Sequence, residues 1–385
     1  MVVPTDIRGR EVNEVSKNIL ICLDGTKNEV KAKAVTNVFN MAEFADLTNP
    51  DEQVLYYGPG VGTMAPPSAW TGLAQRISLI GGMALGHGMR QDIAEAYTYL
   101  MNTWEPGDKV FIFGFSRGAY TARALCGMLY RIGLLRPGSD NLVPYAVRTY
   151  ARNRGDSDLS GEEGWGRMDK FAKGLSRRIE GDSLAFPVEY LGLFDTVKAT
   201  KAFGRDIAWP YTRDLRNVRV VRHAVSIDEK RPQFEEYLVI PKPGEKYPAL
   251  TEVWFAGVHS DVGGGFQEND KHILSKITMR WILDGAIRRG LKVRSGKYRY
   301  HLTNLGEAEA CADMRPTDTV WRFLQAPWRW LFNPWRPRPI REGATIHSSV
   351  EMRMAKADPK YQPRLPDNFH VDDEPWSGPP PPPDA

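Results

Sequence analysis

Apolar residues in this chain gather in short unbroken runs that alternate with stretches where apolar positions recur every three or four residues. Runs at 18–23, 53–57, 109–113, 188–194 and 252–258 have the length and continuity of strands buried on both faces. Between them, 88–100 sets Met89, Ile93, Ala96, Tyr97 and Leu100 at helical spacing, 119–130 reads as a helix rich in small residues, and 276–289 carries Ile277, Trp281, Ile282 and Ile287. Strand and helix therefore alternate. That is the pattern of an α/β domain on a doubly wound, mostly parallel sheet with insertions.

The same pattern divides the chain. Residues 1–17 form a mixed-charge N-terminal extension, 18–314 the α/β domain, and the polar, glycine-interrupted stretch 148–180 an insertion or cap within it. Beyond 315 the composition shifts to tryptophan, arginine and proline, with a segment at 315–356 that packs on or extends the domain. A Pro-rich tail follows at 357–385, and the proline run Pro379 to Pro383 that closes it is expected to be disordered.

Composition narrows the function classes. Among 385 residues, 51 Lys and Arg face 47 Asp and Glu, a net charge of +4 too small and too dispersed for a nucleic-acid surface. Cys22, Cys126 and Cys311 lie far apart and suggest neither a disulfide framework nor a metal cluster. No stretch approaches the roughly 20 continuous apolar residues of a membrane span. A cytoplasmic protein is expected, with export by a route needing no signal peptide or residence at a membrane surface as the alternatives.

The run 109–113 leads directly into Gly114-Phe115-Ser116-Arg117-Gly118, and a helix follows. This is the G-x-S-x-G pattern in its strand–turn–helix setting, where a tight turn presents the serine hydroxyl and only small residues fit two positions to either side. A serine hydroxyl needs a base, and the base a carboxylate to fix its tautomer. Of the seven histidines, His87, His223, His259, His272, His301, His347 and His370, the context favours His259, which follows an apolar run and precedes Gly263-Gly264-Gly265. His223 and His347 are the runners-up, with a structural hydrogen-bonding role as their other reading. Asp195, at the end of the run 188–194, fits the chain order Ser, Asp, His, with Asp261 and Asp24 as alternative acids. Backbone amides at Arg117, Gly25 and Thr26 are candidates for stabilising an oxyanion. Serine chemistry of this kind requires no metal or organic cofactor, although Asp24 and Asp261 leave room for a structural cation.

Six separated motifs carry a family resemblance: Leu23-Asp24-Gly25-Thr26 with Asn28, Thr36-Asn37-Val38, the glycine-rich Tyr57 to Thr63, Gly114 to Tyr120, Gly192 to Val197, and Gly257 to Phe266. Together they resemble the catalytic domain of the type VI secretion phospholipase effector one-like α/β hydrolases. The resemblance implies ester hydrolysis through a Ser-Asp-His triad, and for effector members removal of acyl chains from glycerophospholipids. Lys27 stands where many members have tryptophan, beside the expected oxyanion loop. A soluble carboxylesterase, another acyl hydrolase, and a non-catalytic interaction protein on the same scaffold remain alternative readings. Trp328, Trp330 and Trp335, interleaved with arginines including Arg338, suit a membrane interface. Packing of these rings on the domain is the other reading.

Overall fold

Strand β1 (Asn18–Leu23) is followed by α1 (Asn37–Phe44), β2 (Gln53–Gly58), α2 (Gly82–Thr103), β3 (Lys109–Phe115) and α3 (Arg117–Arg131). Helices α4 (Val143–Arg152) and α5 (Glu162–Leu175) come next, then β4 (Val188–Phe194), β5 (Val218–Ser226) and β6 (Ala249–Phe255). The chain continues through α6 (His259–Gly263), α7 (Ser275–Arg288), α8 (Ser295–Leu302), α9 (Glu307–Ala310), β7 (Ala344–His347), α10 (Ser348–Lys356) and β8 (Phe369–Asp372). These elements belong to a computed structural model that describes residues 16–25, 35–60, 82–152, 162–179, 183–197, 209–231, 234–240, 249–265, 273–315 and 336–384.

The eight strands form one sheet in the order β2-β1-β3-β4-β5-β6-β7-β8, with every pairing parallel. Alternation along each strand feeds two cores. On β1, Ile19, Ile21 and Leu23 face one cluster with residues of α2, α3 and α4, while Leu20 and Cys22 face the other with α1, α7 and α8. Each such buried Ile or Leu contributes about 1.5–3 kcal/mol of transfer free energy, which is why the run is continuously apolar rather than alternating. Strand order reverses between β1 and β3, because the chain first adds β2 on one side of β1 and then turns to the other. Ligands of open parallel sheets bind outside the carboxyl ends of the strands at such a reversal.

The half of the sheet built from β1 to β4 matches the sequence expectation closely; the other half needs three corrections. β5 interrupts its apolar run with Arg219, Arg222 and His223, so it does not look like a buried strand although it lies centrally. β6 stops at Phe255 rather than Val258, leaving a turn before His259. The Pro-rich tail supplies β8 beside β7, and the proline run expected to be disordered is held at both ends, by hydrogen bonds from the Gly378 amide to the Thr303 carbonyl and from the Asp384 amide to the Arg288 carbonyl. The expected insertion at 148–180 contains the end of α4 and all of α5. Residues 1–15 of the N-terminal extension, and Trp328, Trp330 and Trp335, lie outside the described residues.

Candidate active site

Ser116 occupies the single residue between β3 and α3, with φ 59° and ψ −123°. A side chain in that backbone region is strained, and the flanking glycines explain how the turn closes. A Cβ on Gly114 would lie 2.6 Å from the Ala119 Cα, and one on Gly118 would lie 2.7 Å from the Asp24 carbonyl carbon and nearer still to the Leu23 and Asp24 oxygens. Bare backbone is what lets α3 start against the end of β1. The turn is held by the Ser116 amide, which donates to the Phe194 carbonyl at 3.1 Å.

That bond also ties the end of β3 to the end of β4, where Asp195 follows with φ 39°. His259 opens α6 after the turn from β6, and its backbone N–H donates to Glu229 Oε2 at 3.2 Å. Its ring lies between Phe115 and Phe234, each with centroid 4.6 Å away. Gly263 makes room for the Phe115 ring, against which any Cβ would collide. Three elements far apart in sequence thus present one series of contacts: Ser116 Oγ lies 2.9 Å from His259 Nε2, and His259 Nδ1 lies 2.5 Å from Asp195 Oδ2.

A carboxylate only accepts, so Nδ1 carries the ring proton and Nε2 is left as the acceptor for the serine hydroxyl. All three side chains are nearly inaccessible to water. Burial alone would raise Asp195, but the Arg338 guanidinium and the His259 ring hold it well below the ordinary carboxylate range. For His259 burial acts the other way, lowering its pKa; the negative charges of Asp195 and Glu229 oppose this without cancelling it.

The alternative acids do different work. Asp24 accepts from the Gly25 amide at 2.6 Å, the Thr36 hydroxyl at 2.5 Å and the Tyr57 hydroxyl at 2.7 Å, bracing the end of β1. Asp261 accepts from the Val258 amide at 3.0 Å and the Arg315 amide at 3.1 Å, which closes the turn that carries His259. The Gly25 amide, expected to face an oxyanion, is therefore engaged by its neighbour's carboxylate. Arg117 stands at the first position of α3, where a backbone N–H has no acceptor within the helix and the helix dipole favours negative charge. Thr26 lies outside the described residues.

The two runner-up histidines serve as structure. His223 accepts from the Thr196 amide at 3.1 Å and its Nδ1 lies 2.7 Å from Glu252. His347 stacks on Phe255, and burial pushes it down to about 3, so it stays neutral.

Four contributors escape the sequence reading: Ser226, Glu229, Phe234 and, in its actual role, Arg338. The arginine expected at a membrane interface is buried, with Nη1 2.5 Å from Asp195 Oδ1 and Nη2 3.0 Å from Oδ2. Ser226 ends β5 and donates its amide to Asp195 Oδ1 at 2.9 Å. Nothing in the apolar pattern marks Arg338, because its partner lies 143 residues earlier.

The chain is similar to several known proteins. An uncharacterized protein of Saccharomyces cerevisiae is 33% identical over 234 residues, covering 59% of this chain and 33% of its own length. An uncharacterized protein from Pseudomonas aeruginosa aligns in structure with a TM-score of 0.42 and 19% identity, over 76% of this chain and 48% of that one. The Tle1 effector, solved bound to the VgrG spike of the type 6 secretion system, aligns with a TM-score of 0.34 and 17% identity, over 68% of this chain and 53% of its own. The chain thus spans between a third and about half of the length of these relatives. The model of the T6SS phospholipase effector Tle1-like catalytic domain matches residues 17–285, a stretch that contains Ser116, Asp195 and His259, and the chain therefore belongs to that family of phospholipase-type hydrolases.

Proposed function

We propose that this chain is a serine hydrolase that cleaves carboxylic esters, with acyl lipids of the phospholipid class as substrates, Ser116 as nucleophile, His259 as base and Asp195 as the acid. The observation that carries the reading is the unbroken hydrogen-bonded path from the Ser116 hydroxyl through His259 to Asp195. A serine hydroxyl is a weak nucleophile at neutral pH, and removal of its proton by Nε2 as it attacks is what makes it competent. The new Ser116 Oγ–carbon bond converts the ester carbonyl to a tetrahedral oxyanion, which the Arg117 amide at the helix N-terminus is placed to stabilise. The protonated imidazole then gives its proton to the departing alcohol, and an acyl-enzyme remains. Water, deprotonated by the same Nε2, attacks the acyl carbon; the acid leaves and Ser116 recovers its proton. Asp195 holds the ring and stabilises its cation throughout.

A fluorophosphonate probe should label the native protein at Ser116, with the site read by peptide mass spectrometry, and Ser116→Ala should abolish labelling. Absence of labelling in the folded protein would return the chain to a non-catalytic scaffold. Parallel assays of phospholipid vesicles and a soluble short-chain ester then place the substrate class: release of fatty acid from the vesicles is expected, and cleavage of the soluble ester alone would make it a carboxylesterase.

Neutral His259 is the competent base, and its pKa lies below the ordinary 6.5 because burial disfavours the cation. The kcat/KM profile on a soluble ester should therefore stay flat as pH falls through the ordinary imidazole range and decline only below it. An acid limb at or above 6.5 would contradict this placement of His259.

A further inference from the structure

We propose that Arg338 is a positioning residue for the acid and base, clamping both carboxylate oxygens of Asp195 and one wall of the His259 ring from a segment beyond the matched catalytic domain. The inference rests on the assignment of Ser116, His259 and Asp195 as nucleophile, base and acid, and adds a component to it. Residues 17–285 carry the family match, and Arg338 comes 53 positions after its end, 338 against 285.

The geometry is that of a fork on a fork. Both Nη atoms meet Asp195, one per oxygen, and Nη1 also donates to the Ser226 carbonyl at 3.1 Å and lies 2.7 Å from its hydroxyl. Nη2 donates in addition to the Phe234 carbonyl. Phe234 is the residue whose ring packs at a tilt of 44° against His259, 4.6 Å between centroids, so a single guanidinium fixes the rotamer of the carboxylate and the backbone that carries one of the rings packed on the imidazole. The segment that delivers it is pinned by the Arg336 amide, which donates to the Lys230 carbonyl at 3.3 Å.

A planar five-donor cation suits this task as a lysine does not, because two parallel bonds set orientation as well as charge. Its charge has a second consequence. The charged groups around the His259 ring are Asp195 and Glu229 on the negative side and Arg338 on the positive side, with Arg231 paired to Glu229 and Glu236 3.9 Å from Arg338. Taking away the Arg338 charge leaves the imidazolium better stabilised by Asp195 and Glu229. Proton uptake by His259 then competes with catalysis at higher pH. A residue that only braced the fold would alter the amount of active protein but not the pH at which each molecule loses activity.

The experiment compares Arg338→Lys and Arg338→Met in the full chain. Initial rates on a soluble short-chain ester are measured across pH and normalised to sites titrated with a fluorophosphonate; Ser116→Ala is run alongside. Arg338→Met should lose about 100-fold in kcat and move its acid limb up by about one pH unit, since misaligned groups and a lost neighbouring charge act together. Arg338→Lys should lose about tenfold while keeping its acid limb near that of the parent, because charge remains and the fork does not. Wild-type kcat per titrated site in Arg338→Lys would overturn the proposal even if Arg338→Met failed to fold. An unmoved acid limb in folded Arg338→Met would also overturn it. Full turnover by Ser116→Ala would instead sink the underlying assignment of the nucleophile, which separates the two failures.

Discussion

Asp195→Asn should lower kcat on a soluble ester by about 10⁴-fold while leaving Ser116 and His259 in the chain, an effect set by the tautomer of one ring. Asp195 Oδ1 and Oδ2 both receive Arg338, and Oδ2 also receives His259 Nδ1. An amide in this position offers one oxygen and one NH2. Either position of the NH2 meets a nitrogen of Arg338, but at Oδ1 it would also face the Ser226 amide, a fixed donor, whereas at Oδ2 it faces His259 Nδ1, which becomes an acceptor by changing tautomer. The oxygen therefore takes the Oδ1 place and the NH2 the Oδ2 place. Nδ1 must then accept, the ring proton moves to Nε2, and Nε2 can no longer take the Ser116 proton. The same substitution leaves Arg338 buried with a neutral partner, a loss on the order of 3–5 kcal/mol for a broken buried pair. Circular dichroism and chemical denaturation measure the folded fraction, and kcat expressed per folded molecule keeps the two effects apart. Activity within tenfold of the parent would remove Asp195 from the role.

The strands around this site were legible because their environment is uniform. Apart from the exposed Lys109 that opens β3, residues of β1, β3 and β4 are buried on both faces, so their sequences are largely apolar runs, and each ends where a polar side chain emerges toward the strand-order reversal. Ser116 and Asp195 could be read from that punctuation. His259 was reached through its glycine-rich surroundings, although a turn rather than the strand itself delivers it. β5 escaped because Arg222 and His223 are buried polar groups satisfied by distant partners, Trp281 and Glu374 for the arginine, Thr196 and Glu252 for the histidine. Periodicity reports which face is apolar and is silent about such pairings. β7 and β8 are four residues each, too short for a pattern, and gain their place by pairing with β6 and with each other. Arg338 was hidden for the same reason as β5: the tryptophan-rich stretch before it suggested an interface, whereas its own position is set by one carboxylate.

Gly118→Ala should destabilise the protein by about 2 kcal/mol or more and take the hydrolase activity with it, against the direction that helix propensity alone would give. Gly118 lies in the first turn of α3, and within a helix alanine is favoured over glycine by about 1 kcal/mol. The added methyl would fall 2.7 Å from the Asp24 carbonyl carbon and nearer still to the oxygens of Leu23 and Asp24, all backbone of a central strand end that cannot swing aside. Either α3 moves away from β1, carrying Ser116 with it, or β1 shifts and disturbs the Asp24 contacts with Thr36 and Tyr57. Gly166, in the interior of α5 with no atom near enough to meet a Cβ, is the control. Gly166→Ala should gain about 0.5–1 kcal/mol, the propensity difference without the collision. Chemical denaturation of both variants measures the pair. A Gly118→Ala protein as stable as Gly166→Ala would mean that α3 does not need bare backbone to start against β1, and the tight turn at Ser116 would lose its steric basis.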